Sequence, residues 1–243
     1  DPITDIQIIN AELALSDLDI LEKNYQKLRK VQKTDDDKRK VQIIERAINL
    51  ISNEKKLIGN LENDEIDYLN TYQLISIKPV VYICNVDEGS ALSGNEFTKR
   101  IEDYAKDNDA EVLLISAKIE SEISQIADEK DKQDFLESMG LSETGLKRVI
   151  RKGYEILNYI NYFTAGEKEL RAWTIIKGTL APSAAGAIHS DMEKGFIRAE
   201  TISFEDYISN NGESGAKEKG KLRLEGKEYE VKDGDVMHFL FNV

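Results

Sequence analysis

Two short apolar runs constrain this chain more than any other feature: Pro79-Val80-Val81-Tyr82-Ile83-Cys84 and Val112-Leu113-Leu114-Ile115. Each is apolar at successive positions rather than at alternate ones, the pattern of a strand buried on both faces. Between them, Ser93 and Glu96 form a capping box that opens a helix with Phe97, Ile101 and Ala105 turned inward. Strand, helix and strand at this spacing make a βαβ unit, and its crossover sets the two strands parallel in one sheet. The fold class that follows is α/β.

In an open parallel sheet, ligands bind beyond the carboxyl ends of the strands. The first run ends in Asn85-Val86-Asp87-Glu88 and the second in Ser116-Ala117-Lys118. Ras-like GTPases carry Asn-Lys-x-Asp and Ser-Ala-Lys at the corresponding places. There the Asn amide braces the base loop, the Asp carboxylate accepts the two N–H groups on guanine's edge, and the Ala backbone N–H meets the group at position 6 of the base. Here Val86 replaces the Lys and Glu88 replaces the Asp. Glu is longer by one methylene, so its carboxylate cannot occupy the Asp position without rearrangement. A misplaced polar recognition group is penalised steeply, because buried partners are then left unpaired. The expectation is a purine site that accepts ATP as well as GTP, and ATP better. Singly, the two motifs are ordinary βα-loop sequences; their joint placement at successive strand ends is what points to a nucleotide.

The N-terminal third is organised differently. Thr4 and Gln7 have the spacing of a capping box, with Asp5 in the first turn. Apolar residues follow at helical spacing, Ile6, Ile9 and Leu13, then Leu18, Leu21, Tyr25 and Leu28. A polar turn over 33–37 breaks the stripe, and a second one follows at Val41, Ile44, Ile48 and Ile51. The 3-4-3 spacing predicts an antiparallel α-helical hairpin with a coiled-coil seam. Around its tip lie Lys27, Arg29, Lys30, Lys33, Lys38, Arg39 and Lys40, against Asp35, Asp36 and Asp37. By residue type alone this is either a solvated helix face or a contact for RNA phosphates.

Beyond residue 164 the pattern shifts to short strands over 170–176, 196–202, 221–224, 228–231 and 236–241, with Glu225-Gly226 as a hairpin turn. Helical stretches cover 184–192 and 204–209. A mixed sheet crossed by a helix gives a small α+β unit of β-grasp type. Its basic strip, Lys217, Lys219, Lys221, Arg223 and Lys227, reads as a solvent-facing hairpin. The string from Gly215 to Leu222 nearly spells a phosphate-binding loop. It fails because Leu222 stands where Ser or Thr must ligate Mg²⁺, and because a hairpin rather than a helix is expected after it.

Composition excludes several classes. The net charge of −13 argues against indiscriminate nucleic-acid binding. One cysteine, Cys84, rules out an internal disulfide, and with only His189 and His238 beside it no zinc site is credible. No catalytic residue and no metal ligand is assigned. No apolar run approaches the ~20 residues that span a bilayer, so no membrane partner is expected and a cytoplasmic setting is.

Longer strings carry a family resemblance. Asn85-Val86-Asp87-Glu88, Tyr162-Phe163-Thr164-Ala165-Gly166, Arg171-Ala172-Trp173-Thr174, the stretch from Ile188 to Ala199, and the ending from Val231 through Met237 to Phe241-Asn242-Val243 resemble the YchF subfamily of Obg-related GTPases, the Obg-like ATPases. The resemblance covers essentially the whole chain. It implies a partial Ras-like P-loop NTPase parallel sheet, an inserted helical hairpin and a C-terminal TGS domain, with boundaries 1–73 for the hairpin, 74–157 for the GTPase-type part and 158–243 for the TGS domain. It implies ATP hydrolysis in preference to GTP with Mg²⁺, ribosome association through the large subunit and rRNA, and a role in regulating translation under stress. By position, Asn85, Val86 (through its backbone) and Glu88 would contact the base, and Ser116, Ala117 and Lys118 would form the second base loop. Lys30, Lys33, Lys38, Arg39 and Lys40 would meet rRNA. The P-loop, switch regions and Mg²⁺ ligands would precede Asp1, so this stretch alone is expected to hydrolyse nothing. The alternative from another class is a non-catalytic RNA- or protein-binding module.

Overall fold

The computed structural model describes residues 1–31, 33–166 and 169–242; Val243, which closes the C-terminal motif, lies outside them. The architecture is α/β, with one parallel and one mixed sheet. The chain divides into two compact units, residues 1–145 and 146–243. Among the described residues no helix is long and apolar enough to cross a membrane.

Unit 1 begins with two helices, α1 (Pro2–Val31) and α2 (Asp35–Ser52), that pack against each other. The Thr4–Gln7 capping box does not form. Helix α1 starts at Pro2, whose fixed φ suits the first helical position. Asp1 instead precedes the helix: its carbonyl accepts from Asp5 N at 3.1 Å and its carboxylate accepts from the Thr4 hydroxyl. At the other junction Thr34 caps α2 in a full box with Asp37. The backbone N–H groups of Lys33 and Thr34 also donate to Asp37 and hold its carboxyl down at about 2.

Leu21, Ile43, Ile44, Ala47 and Ile51 form the buried seam, with Leu18, Tyr25 and Leu28 packed on it. Helix α3 (Asn63–Asn70) closes the cluster with Leu69. The first half of the α1 stripe stays out of this seam, with Ile9 57% and Leu13 38% exposed. Length explains it: α2 has 18 residues against the 30 of α1, so it cannot reach the first turns of its partner. Those turns run beside the sheet instead, where Asn10 Nδ2 donates to the Tyr82 and Tyr104 hydroxyls, both at 3.5 Å.

The sheet of unit 1 is the expected parallel pair, β1 (Val81–Asn85) and β2 (Glu111–Ile115), in register from Val81↔Glu111 to Asn85↔Ile115. The intervening helix α4 (Glu96–Asp107) is capped by Asn95 in a box with Thr98, not by Ser93 with Glu96. Gly94 decides the difference. Its φ of +70° bends the chain into the cap, and a Cβ there would stand 2.3 Å from Thr98 Oγ1. Helices α5 (Ala117–Gln125) and α6 (Glu129–Ser138) complete the unit.

Unit 2 comprises α7 (Gly145–Ile156, from Leu146 on), β3 (Tyr159–Ala165), β4 (Leu170–Ile176), α8 (Ala181–Ile188), α9 (Ser190–Lys194), β5 (Phe196–Ser203), α10 (Phe204–Ser209), α11 (Glu213–Glu218), β6 (Arg223–Glu225) and β7 (Asp235–Phe241). Strand order is β4-β3-β7-β5-β6, with β3 and β7 parallel and the other pairs antiparallel. Tyr162 anchors the core: fully buried, it meets Phe239 edge-to-face at 5.7 Å and donates its hydroxyl to Ala184 O at 2.8 Å.

Three local expectations change here. The expected helix over 184–192 is two helices joined at His189, whose imidazole accepts from Asp191 N. The expected hairpin after Gly226 does not form, because residues 229–231 turn away to bond Ala181 and Thr179 rather than β6. The P-loop-like string opens in α11, where a Cβ at Gly215 would lie 1.9 Å from Asn210 O. That glycine serves the close approach of the chain after α10.

One buried charge ties unit 1 together. Asp17, on α1 and fully buried, accepts from Ile75 N at 2.9 Å and Ser76 N at 2.7 Å. It holds the segment leading into β1 against the long helix. Asp17→Ala should destabilise unit 1 by roughly 1–3 kcal/mol, the cost of leaving such donors unpaired, with Asp17→Asn intermediate; urea unfolding followed by circular dichroism measures both.

Candidate functional site

The parallel register brings the ends of β1 and β2 level, so the residues that follow Asn85 and Ile115 meet at one edge. Asn85 Oδ1 accepts from Ala117 N at 3.0 Å. This bond spans the two loops and closes the first turn of α5 against the end of β1. Its Nδ2 makes no hydrogen bond among the described residues. Val86 N donates to Ile115 O at 2.8 Å and its side chain packs on the cluster around Ile119 and Ile123. Its N–H is therefore engaged, and only its carbonyl remains for a ligand.

Asp87 does not face the same way. It caps the 3-10 turn Glu88–Ser90, accepting from Ser90 N at 2.8 Å. That turn presents Glu88, whose carboxylate is 2.9 Å from Lys118 Nζ. The hydrogen bond that Lys118 donates to Glu88 raises the Lys118 pKa. The pair is solvent-facing, with side chains 37% and 66% exposed, so its effect is on orientation more than on stability. Ser116 is buried, and its hydroxyl has no hydrogen-bond partner among the described residues.

Six of the seven residues of the two motifs, all but Asp87, thus lie at one edge. The edge offers a carboxylate from Glu88, an unengaged amide nitrogen from Asn85 and the Val86 carbonyl, while the Ser116 hydroxyl is buried. The Ala117 N–H is already taken. Sequence reasoning missed the Glu88–Lys118 pair and the engagement of Ala117; separations of 30 and 32 residues hide both from any local pattern.

The cations at the other end of unit 1 divide into two sets. Lys38 pairs with Asp35 at 2.8 Å, Lys40 with Asp36 at 2.6 Å, and Arg39 with Asp64. Lys27, Arg29, Lys30 and Lys33 are exposed and have no acidic partner among the described residues. The unneutralised charge therefore lies on the last turns of α1 and at the junction, not on the first turn of α2.

Comparison with known proteins gives a consistent picture. The family profile YchF-GTPase_C, described as a protein of unknown function (DUF933), matches residues 159–242. "Ribosome-binding ATPase YchF" of Haemophilus influenzae is 48% identical over 246 residues, covering 100% of this chain and 67% of that protein. The protein of the same name from Bacillus subtilis is 46% identical over 248 residues, covering 100% of this chain and 68% of that one. The chain spans about two thirds of the length of these relatives. Among solved structures, the Schizosaccharomyces pombe YchF GTPase superposes with a TM-score of 0.84 at 32% identity, over 99% of this chain and 66% of that one. A GTP-binding protein from Pyrococcus horikoshii OT3 superposes at 0.60 with 17% identity, over 100% and 72%, a likeness of fold alone.

The Asn85–Ala117 bond has a direct readout. Asn85→Ala should speed hydrogen exchange at the Ala117 amide about fivefold, the factor carried by one hydrogen bond of about 1 kcal/mol, while amides in the middle of β1 and β2 stay unchanged.

Proposed function

The chain belongs to the YchF family, and on that footing we propose that the protein is a ribosome-associated nucleotide hydrolase that takes ATP in preference to GTP. In this reading residues 1–73 form a helical coiled-coil arm, 74–157 the base-recognition part of a Ras-like nucleotide domain, and 158–243 a β-grasp domain of TGS type. The setting is the cytoplasm, and the role is regulation of translation. Relatives named as ribosome-binding ATPases support it. Mg²⁺ would accompany the triphosphate; the residues described here meet the base.

One observation carries the preference for adenine. Guanine presents a carbonyl at position 6 and needs a donor there, but the Ala117 N–H is bonded to Asn85 Oδ1. Adenine presents an amine at that position and needs an acceptor. The free Asn85 amide nitrogen can donate to a ring nitrogen of either purine. Glu88 is held by Lys118 rather than aimed at the two N–H groups that distinguish guanine. The orphaned Ser116 hydroxyl is a buried polar group that a ligand or its water would satisfy. Together these groups suit a purine and carry no feature that rewards guanine over adenine.

For the ribosome, the unpaired Lys27, Arg29, Lys30 and Lys33 are the strongest candidates to meet rRNA of the large subunit. Lys38, Arg39 and Lys40 contribute less, since a paired cation must first leave its carboxylate. A module that binds RNA without hydrolysing nucleotide is the competing reading.

Two measurements test these readings in a version spanning the full length of the relatives. Calorimetric titration should find ATP bound more tightly than GTP, and Glu88→Asp should move the affinity ratio toward GTP by about tenfold, the factor for one charge-assisted hydrogen bond of about 1.5 kcal/mol; a strong GTP preference before substitution refutes the assignment. Replacing Lys27, Arg29, Lys30 and Lys33 by Gln should weaken ribosome cosedimentation and lower its log–log salt slope by about 0.7–0.9 per lost phosphate contact, more than replacing Lys38, Arg39 and Lys40 does. Equal or absent effects would sink the placement of the RNA contact.

A further inference from the structure

The mixed sheet of unit 2 runs in the order β4-β3-β7-β5-β6, so β4 and β6 are its two edges. An edge strand carries a row of unpaired backbone N–H and C=O groups, and natural sheets blunt it by shortness, charge, proline or a bulge. Strand β6 follows that rule: it has three residues, Arg223–Glu225, with Lys221 and Lys227 on either side. Strand β4 does not. It has seven residues, Leu170-Arg171-Ala172-Trp173-Thr174-Ile175-Ile176, no proline, and an unbroken register with β3 from Tyr159↔Ile176 to Ala165↔Leu170. Its one charged side chain, Arg171, is laid over the Trp173 ring at 4.0 Å. Leu170 and Ile176 stand 77% and 59% exposed.

The backbone phase of this edge is fixed by the pairing on its other side. Gly166 N donates to Glu169 O at 3.0 Å, and Lys177 N donates to Asn158 O at 2.7 Å. In an antiparallel ladder such pairs recur at every second residue, so residues 169, 171, 173, 175 and 177 turn their N–H and C=O groups toward β3. Leu170, Ala172, Thr174 and Ile176 turn theirs outward. One outward group is already used: Ile176 O accepts from Thr179 N at 3.1 Å. The others have no backbone partner among the described residues and can take a further strand.

Side chains decide which strand fits. Antiparallel pairing of β4 with its own copy, about a two-fold axis at Trp173, sets Ala172 opposite Thr174 and Leu170 opposite Ile176 of the second copy. It also sets Glu169 opposite Lys177 at both ends. Both residues are exposed, and neither has an ion-pair partner among the described residues. Opposite charges across strands stabilise a pairing and like charges oppose it. The neighbouring alignments lose this match: an axis at Ala172 puts Glu169 against Ile175, and an axis at Thr174 puts Arg171 against Lys177. We propose that unit 2 docks edge to edge with a second copy of this chain, β4 against β4 about Trp173, with main-chain hydrogen bonds donated by Ala172, Thr174 and Ile176 and a Glu169–Lys177 pair at each end. Such an interface is isologous and closes at two copies. It is independent of the nucleotide site in unit 1.

Sedimentation velocity of the 243-residue chain over a range of concentrations tests this. The parent should pass from monomer to dimer as concentration rises, with no larger species. Ala172→Pro removes an outward N–H at an edge, where proline is tolerated, and should abolish the dimer. Ala172→Lys adds charge to the edge without constraining the backbone and should do the same; thermal unfolding verifies that both variants fold. Charge exchange reads the register. Glu169→Lys should weaken the dimer about fivefold, the loss of two cross-strand pairs, and adding Lys177→Glu to it should restore the parent affinity. Leu224→Lys on the other edge should change nothing. Trp173 is the only tryptophan of the chain, and its emission should shift with concentration in the parent but not in Ala172→Pro. A synthetic peptide of residues 169–177 should compete with the dimer. The proposal falls if the parent is monomeric throughout, if both Ala172 variants dimerise unchanged, if the double charge exchange fails to recover what Glu169→Lys lost, or if Leu224→Lys breaks the dimer. It falls equally if a scrambled peptide of the same composition competes as well, which would make the edge a general acceptor of extended peptides.

Discussion

The parallel pairing of β1 with β2 is the constraint on which the candidate nucleotide site depends. Its last rung, Asn85↔Ile115, sets the two following loops side by side. Shifting the register by one residue would turn Asn85 to the opposite face, and its carbonyl oxygen could not reach Ala117 N. The helix α4 that makes the crossover is therefore part of the site at one remove. So is Gly94, whose backbone conformation lets Asn95 rather than Ser93 cap that helix. The buried Asp17 acts one step earlier still, fixing the chain that leads into β1 against α1.

Electrostatics in unit 1 works by partnering rather than by total charge. An acidic chain of net −13 can present local cations only where acids do not neutralise them. The three aspartates at the start of α2 sit where a helix N-terminus favours them. Asp37 is held by the capping box, while Asp35 and Asp36 pair with Lys38 and Lys40. On the last turns of α1, where cations are favoured by the helix dipole, Lys27, Arg29 and Lys30 have no acidic partner among the described residues. The same turn chemistry that starts one helix thus leaves the basic end of the other uncovered.

Unit 2 shows how a stable core releases surface for other use. Tyr162, Phe196 and Phe239 fill one face of the mixed sheet. The opposite face carries Phe163, which alternates with Tyr162 along β3 and so must point away from that core. Its ring lies 5.9 Å from that of Phe204, and the two form one wall of a cleft. The loop over 231–235 forms the other, held by side-chain carboxylates that bond backbone N–H groups rather than solvent.

Much of this was legible in the sequence. Two apolar runs with a helix between them read as a parallel pair whose end motifs share an edge; the expected burial on both faces is not met, since β1 buries only Cys84 and leaves Ile83 53% exposed, and β2 has no fully buried residue. The first helix, the polar turn and the second stripe follow from apolar residues at helical spacing, and the strand-rich C-terminal part follows from short strand-type runs between turn residues. Local competition blurred the details: Thr4, Ser93 and Asn95 are all capable caps, and the choice fell to Pro2 and Gly94 through backbone geometry. What only the tertiary structure decided was which polar groups are already satisfied. Asn85 and Ala117, Glu88 and Lys118, Arg39 and Asp64, and Asp17 and Ser76 lie from 25 to 59 residues apart. A hydrogen bond across such a distance depends on packing, not on spacing along the chain. The sequence by itself determined that two loop motifs follow successive strands and that cations cluster around the turn between the first two helices. The fold determined that the Ala117 donor is occupied and that the free cations lie on the last turns of α1 and at the junction after it, because only packed elements bring those partners within bonding distance.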